Sequence, residues 1–189
     1  MTKIILVFFT AIILFITPSA YSAQIIYSKA EYDNDRFIIS VDSDLNISRK
    51  AAFDVLTDYE NITKLSPKII ESKIIKSEKN QTTVKTVVRG CVLFFCKKMT
   101  NIQLTRVVNK NNLESITIPE YSDFKFGEMK WNITDTKNGV IIKYRAEIEP
   151  DFFVPPLIGS YFIKKSMIAE AEALALRIEE LGLSLQTTQ

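Results

Sequence analysis

The sequence contains no histidine in 189 residues, only two cysteines, five glycines and one tryptophan, and its charges nearly cancel. The missing histidine removes the usual general base, the commonest zinc ligand and every Ser-His or Cys-His nucleophile pair. There is no Gly-rich loop to cradle a phosphate, and no loop has the Asp/Asn/Gly/Glu spacing of a calcium hand. No metal and no cofactor is therefore expected. Lys and Arg number 24 against 22 Asp and Glu, a net charge of +2. The charges are interspersed, which excludes a dedicated nucleic-acid binder with its concentrated basic footprint. Among Asp58, Glu60, Asp123, Glu128, Glu147 and Glu149 no pair has a spacing that argues for acid–base work, so they read as solvated charges and no catalytic residue is assigned.

What is present begins with an unbroken apolar run, Ile4 to Ile16, after Met1-Thr2-Lys3. Thirteen residues are too few to span a bilayer comfortably but suit the apolar segment of a secretory leader. Thr17-Pro18-Ser19 breaks the run, and Ala20 and Ser22 then stand at −3 and −1 of a cleavage site. The expectation is a signal peptide over 1–22 and a mature single domain over 23–189, exported, in a bacterial periplasm. An uncleaved N-terminal anchor is the competing reading of the same run. Removal of the leader takes Lys3 with it, leaving 23 basic against 22 acidic residues, or +1. A chain of that size buries roughly 70% of its unfolded surface and needs no stapling to fold; a monomer is expected.

After a polar lead (Ser28 to Arg36), Phe37 to Val41 reads as a short strand and Asp42 to Ile47 as a turn. Ser48 is placed to cap a helix through Ala51, Ala52, Phe53, Val55 and Leu56. Tyr59 to Leu65 reads as a second short helix, stopped at Ser66-Pro67. Five or six strands follow. The clearest, Val140 to Glu149, puts Val140, Ile142, Tyr144, Ala146 and Ile148 on one face and Lys143, Arg145, Glu147 and Glu149 on the other. Its hairpin partner alternates Gly127, Met129, Trp131 and Ile133 with polar residues, and the turn ends in Asn138-Gly139. Pro155-Pro156 opens a last helix of about 25 residues, whose stripe is Ile163, Met167, Ala171, Leu174, Ile178 and Leu181. Glu170, Glu172, Arg177 and Glu179 lie off that stripe, and Gly182 is placed as the residue just past the helix end. Asn46, Asn61, Asn80 and Asn132 begin Asn-x-Ser/Thr sequons, read as chance in an Asn-rich chain.

This order resembles the helix-grip fold of the START-like (SRPBCC) superfamily. Ala51-Ala-Phe-Asp-Val-Leu-Thr-Asp-Tyr59 through Pro67 resembles the two short helices of that group. Phe126-Gly-Glu-Met-Lys-Trp131 resembles its Phe-x-Gly-x-Trp strand, with the glycine one place early, and Asp151-Phe-Phe-Val-Pro-Pro156 resembles the polyketide cyclase/dehydrase and lipid-transport or coenzyme Q-binding branch. The resemblance implies an α+β fold, a curved antiparallel sheet wrapped around a long C-terminal helix. It also implies a hydrophobic small molecule as partner, held between sheet and helix by Met129, Trp131, Ile142 and Tyr144 and by Tyr161, Phe162, Ile163 and Met167. The competing reading is that these residues fill a solid core.

Cys91 and Cys96 lie about 16 Å apart on a straight strand, so they can bridge only if Val92 to Phe95 form a turn. An exported chain with two cysteines favours that disulfide. The turn would then carry Val92, Leu93, Phe94 and Phe95 beside Lys97-Lys98, an apolar tip suited to membrane-surface or partner contact; the alternative is a buried strand or a flap over the cavity mouth. Three functions remain open at this level: a carrier without chemistry, a cyclase/aromatase-type enzyme using the same cavity, and an envelope interaction module acting through the tip.

Overall fold

The computed structural model describes residues 23–92, 95–154 and 158–187. The expected leader, Leu93-Phe94 of the tip and Pro155-Pro156 lie outside the described residues.

The first hairpin pairs β1 (Gln24–Asp33) with β2 (Arg36–Leu45). The register closes at Asp33 opposite Arg36, leaving Asn34 and Asp35 as the turn, at φ 49° and 62°. Two left-handed residues are what a type I′ turn requires, and Asn and Asp tolerate that region best after glycine. Two expectations are corrected here. The polar lead is part of a paired strand, and Asp42 to Leu45 continue β2 where the sequence predicts a turn.

Helix α1 (Arg49–Thr57) starts at Ser48, whose hydroxyl accepts the Ala51 N–H at 3.2 Å, as predicted. Its Ala51, Ala52, Val55 and Leu56 are buried. A 3-10 segment follows at Tyr59–Lys64. Then come β3 (Ile69–Glu78), β4 (Gln81–Val92), β5 (Phe95–Asn109) and β6 (Asn112–Thr117). A short 3-10 turn at Pro119–Tyr121 leads to β7 (Phe124–Asp135), β8 (Val140–Pro150) and the closing helix α2 (Ile158–Thr187). The strands form one antiparallel sheet in the order β1-β2-β8-β7-β6-β5-β4-β3. Every neighbouring pair is a sequence-adjacent hairpin except β2 with β8.

Helix α2 runs beyond Gly182, which therefore does not end it. The glycine is there for space: a methyl group at 182 would lie 2.8 Å from Cδ1 and 3.1 Å from Cγ2 of the buried Ile47. Two apolar clusters form beneath the helix. One joins Leu45, Ile47, α1, Ile133, Val140 and Ile142 to Ala175 and Ile178 of α2. The other joins Phe37, Ile39, Val41 and Ala146 to Ala171. The backbone of α2 comes close to α1, β1 and β2 and, across the sheet, to β4, while its approach to the strands between is sparser. This is the helix-grip arrangement expected from the sequence.

Candidate functional site

The register of the sheet defines what faces α2. One row runs Val41, Tyr144, Trp131, Leu113, and the next runs Ile39, Ala146, Met129, Ser115, Thr105. The first strands of each row are apolar. The far strands are not: Thr86, Gln103, Thr105, Ser115 and Thr117 are all buried on β4 to β6. Thr105 and Ser115 share a hydrogen bond of 2.9 Å, and the Thr117 hydroxyl donates to Asn101 Oδ1 at 3.0 Å. The Asn101 amide donates onward to Gln103 Oε1 at 3.3 Å. Gly127, in β7, makes room for this network, because a Cβ there would stand 2.1 Å from the Thr117 hydroxyl. The wall under the helix is thus half hydrocarbon and half hydroxyl and amide.

The predicted cavity residues divide. Ile142 is buried at 1% exposure and belongs to the solid cluster around α1. Met129, Tyr144, Ile163 and Met167 come together around the second cluster, each only half-buried, and Trp131 is half-buried against the first. Phe162 is half-buried and meets Tyr161 edge-on at 5.4 Å, but Tyr161 itself is 59% exposed. These residues face the helix without being fully enclosed by it.

Among the described residues the Tyr144 hydroxyl, the Trp131 indole N–H and the Gln103 side-chain amide nitrogen on this wall have no hydrogen-bond partner. Tyr144 stacks on Trp131 with ring centroids 4.2 Å apart, and burial pushes its phenol up to about 12. Tyr59, at the start of the 3-10 segment, is likewise raised to about 12 by burial. Each phenol stays protonated at neutral pH. The hydroxyl and amide patch was missed in the sequence because Thr, Ser and Gln alternating along a strand read as its wet face.

The other face of the sheet carries paired charges. Arg36 binds Glu147 at 2.6 Å and Glu149 at 3.2 Å, and Arg145 binds Asp42 at 2.6 Å. A hollow of about 330 Å3 opens among Val108, Asn112, Leu113, Glu114, Lys130, Trp131, Asn132, Lys143 and Arg145. Its lining mixes charged side chains with Val108, Leu113 and Trp131, the last being one of the predicted ligand contacts. No group of His, Cys, Asp or Glu among the described residues could hold a metal ion.

Cys91 and Cys96 are bonded, directly opposite each other in the β4–β5 register, with Cα atoms 4.1 Å apart. That spacing is close to the narrow pairs of an antiparallel ladder, where side chains approach nearest. Val92 pairs with Phe95 beyond them, so the hairpin turns where the sequence places it. At its base the Lys97 ammonium lies 3.9 Å from the centre of the Phe152 ring and 3.9 Å from Asp123. In sequence, Tyr121, 68% exposed, precedes Asp123 by two residues, and Phe153, 81% exposed, follows Phe152. No helix among the described residues is long and apolar enough to cross a membrane.

The sequence matches, over residues 45–164, a family described as polyketide cyclase / dehydrase and lipid transport. No curated protein matches it. Among solved structures, a STAR-related lipid transfer protein from Xanthomonas axonopodis is similar with a TM-score of 0.65 at 11% identity, covering 86% of this chain and 96% of that one. Human STARD10 is similar at a TM-score of 0.62 and 16% identity, covering 86% of this chain and 73% of that one. The Zhui aromatase/cyclase from Streptomyces sp. R1128 is similar at a TM-score of 0.62 and 10% identity, covering 82% of this chain and 95% of that one. At these identities the likeness is one of fold.

Proposed function

Because this chain belongs to the polyketide cyclase/dehydrase and lipid-transport family, we propose that it is an exported carrier, working in a bacterial periplasm, for a hydrophobic small molecule such as a lipid or quinone. The ligand lies between the sheet and α2, against Met129, Trp131, Tyr144, Ile163 and Met167, and undergoes no chemistry. The observation that carries this reading is the half-buried state of those inward-facing residues beneath a helix that grips the two sides of the sheet. Burying the ligand's hydrocarbon there supplies affinity at roughly 25 cal/mol per Å2. The free Tyr144 hydroxyl and Gln103 amide would take its polar end, so the ligand is amphipathic.

A cyclase would need an acid and a base on the ligand. Among the described residues Glu179 is the one buried carboxylate, and both its oxygens accept backbone N–H groups. That arrangement favours the carrier over the enzyme.

The test is native mass spectrometry of the mature protein purified from its own envelope, followed by organic extraction. A lipid or quinone bound in stoichiometric amount is expected. An empty protein that also takes up none of a panel of lipids and quinones would sink the carrier reading.

A second observation extends the proposal to the membrane. Exposed Tyr121 and Phe153 lie close in sequence to Asp123 and Phe152, which Lys97 contacts, giving this end apolar surface near positive charge. Aromatic rings settle at a lipid headgroup boundary and lysines favour anionic lipid, so this end docks the carrier on an anionic membrane surface.

A further inference from the structure

Glu179 lies off the apolar stripe of α2 in the sequence, yet it is only 5% exposed. Its Oε1 accepts the Asn46 N–H at 2.7 Å, and its Oε2 accepts the Ala23 backbone nitrogen at 2.5 Å. Its surroundings are the apolar cluster of Leu45, Ile47 and Ile178, with Ala23 and Ile25 packed against it. Among the described residues no basic side chain pairs with this carboxylate. The nearest arginine along the helix, Arg177, is engaged by Glu180 at 2.5 Å and by the Lys64 carbonyl at 2.8 Å. A carboxylate removed from water with amide donors but no cation leaves its charge uncompensated, which costs far more than a buried pair.

The nitrogen at Ala23 is also the one that the leader's cleavage pattern singles out. Small residues at Ala20 and Ser22 place the scissile bond between Ser22 and Ala23, a pattern independent of Glu179. We propose that Glu179 is a receptor for the processed N-terminus: cleavage at Ser22–Ala23 turns the amide nitrogen already seated on Oε2 into an α-ammonium, which supplies the missing counter-charge. The step is a hydrolysis. Water gives its hydroxyl to the Ser22 carbonyl carbon as the C–N bond breaks, and the departing nitrogen takes up protons from water to become cationic. The protease required is one that reads small residues at −3 and −1. This inference rests on the export reading, and it adds that removal of the leader completes an ion pair between the start of the mature chain and its last helix.

The first experiment is the intact mass of the protein after export by a bacterial host carrying the full chain. A mature form beginning at Ala23 is expected. Cleavage at another bond would overturn the inference while leaving export standing, and an intact chain from Met1 would overturn both. The second experiment compares melting temperatures near pH 6 for chains that begin at Ala23 or retain Ser22, each with Glu179 or Glu179→Gln. The substitution should lower the melting temperature of the Ala23 chain by several degrees more than that of the chain one residue longer. Equal losses would overturn the pair. Should Glu179→Gln prevent folding, an enzymatically placed acetyl group on Ala23 decides the matter, because it keeps an N–H donor and removes the charge. A lowered melting temperature supports the pair, and an unchanged one refutes it.

Discussion

Trp131 and Tyr144 stand opposite each other in the β7–β8 register, their rings 4.2 Å apart and inclined by 34°. Trp131 is the chain's one tryptophan, so its fluorescence reports on this wall of the site without interference. A ligand seated against the pair should shift or quench that emission in a saturable titration. Tyr144→Phe keeps the stack and deletes the free hydroxyl. It should weaken binding about tenfold, the worth of one hydrogen bond, with little change in melting temperature. Unchanged affinity would remove Tyr144 from the site.

Desolvation of the Tyr144 and Tyr59 phenols makes stability fall at high pH. Their folded pKa values, about 12 for both Tyr144 and Tyr59, lie above the ordinary value of 10.0. A group whose pKa is raised by folding contributes stability that is whole below its unfolded pKa and lost as pH climbs through the folded one. The chain should therefore lose stability between pH 10 and about 12. In the native protein, phenolate absorbance at about 295 nm should show Tyr144 and Tyr59 titrating last. Titration of every tyrosine together near 10 would contradict the desolvation of these two phenols.

The disulfide closes a short loop, which limits what it contributes. Replacing Cys91 and Cys96 by serine should cost about 2 kcal/mol, by the loop-entropy relation for six residues. Urea denaturation of the two forms measures this, and the far-ultraviolet circular dichroism should be unchanged. A chain unable to fold without the bond would show that the hairpin organises more than its own tip.

Gly182→Ala tests the contact between α2 and the α1 entry. Alanine is the better helix former by roughly 1 kcal/mol. Against that, its methyl would crowd Ile47 at 2.8 and 3.1 Å, and crowding a packed core typically costs about 1–3 kcal/mol. A lower urea midpoint is the expected result, partly restored by adding Ile47→Val. A stabilised variant would mean that the helix shifts freely at this point.

The membrane-docking surface can be examined with vesicles. Wild-type protein should float with phosphatidylglycerol vesicles at low salt and release as salt screens the attraction. Tyr121→Ser with Phe153→Ser should lose that binding while the melting temperature holds. Equal binding to neutral phosphatidylcholine vesicles would argue against an electrostatic component.

Local pattern carried much of this architecture. Strict alternation placed β7 and β8 and the hairpin between them, Ser48 marked the start of α1, and the cysteine spacing located the β4–β5 turn. Elements whose reason lies in a distant partner were not readable in the same way. Strand β1 exposes Tyr27 and Ile26 on a sheet edge, and its turn uses Asn34-Asp35 in place of the usual glycine, so no local signal announces it. Gly182 follows the rule for a helix end and is instead a packing requirement set by Ile47. Glu179 sits among charged residues on the helical wheel, and only the arrival of Ala23 and Asn46 shows that it is inside. The same holds for Thr105 and Ser115, whose inward direction depends on the full sheet.

The pairing of β2 with β8 gives the chain a particular folding history. Contacts such as Phe37 with Ile148 and Leu45 with Val140 join segments from opposite ends of the chain. Closing so long a loop is entropically slow, and the first hairpin has no sheet to join until the last strand exists. Synthesis must therefore be nearly finished before the two apolar clusters can form, and no N-terminal fragment holds a core of its own. The chain commits to its fold in one late step, when β8 becomes available to pair with β2.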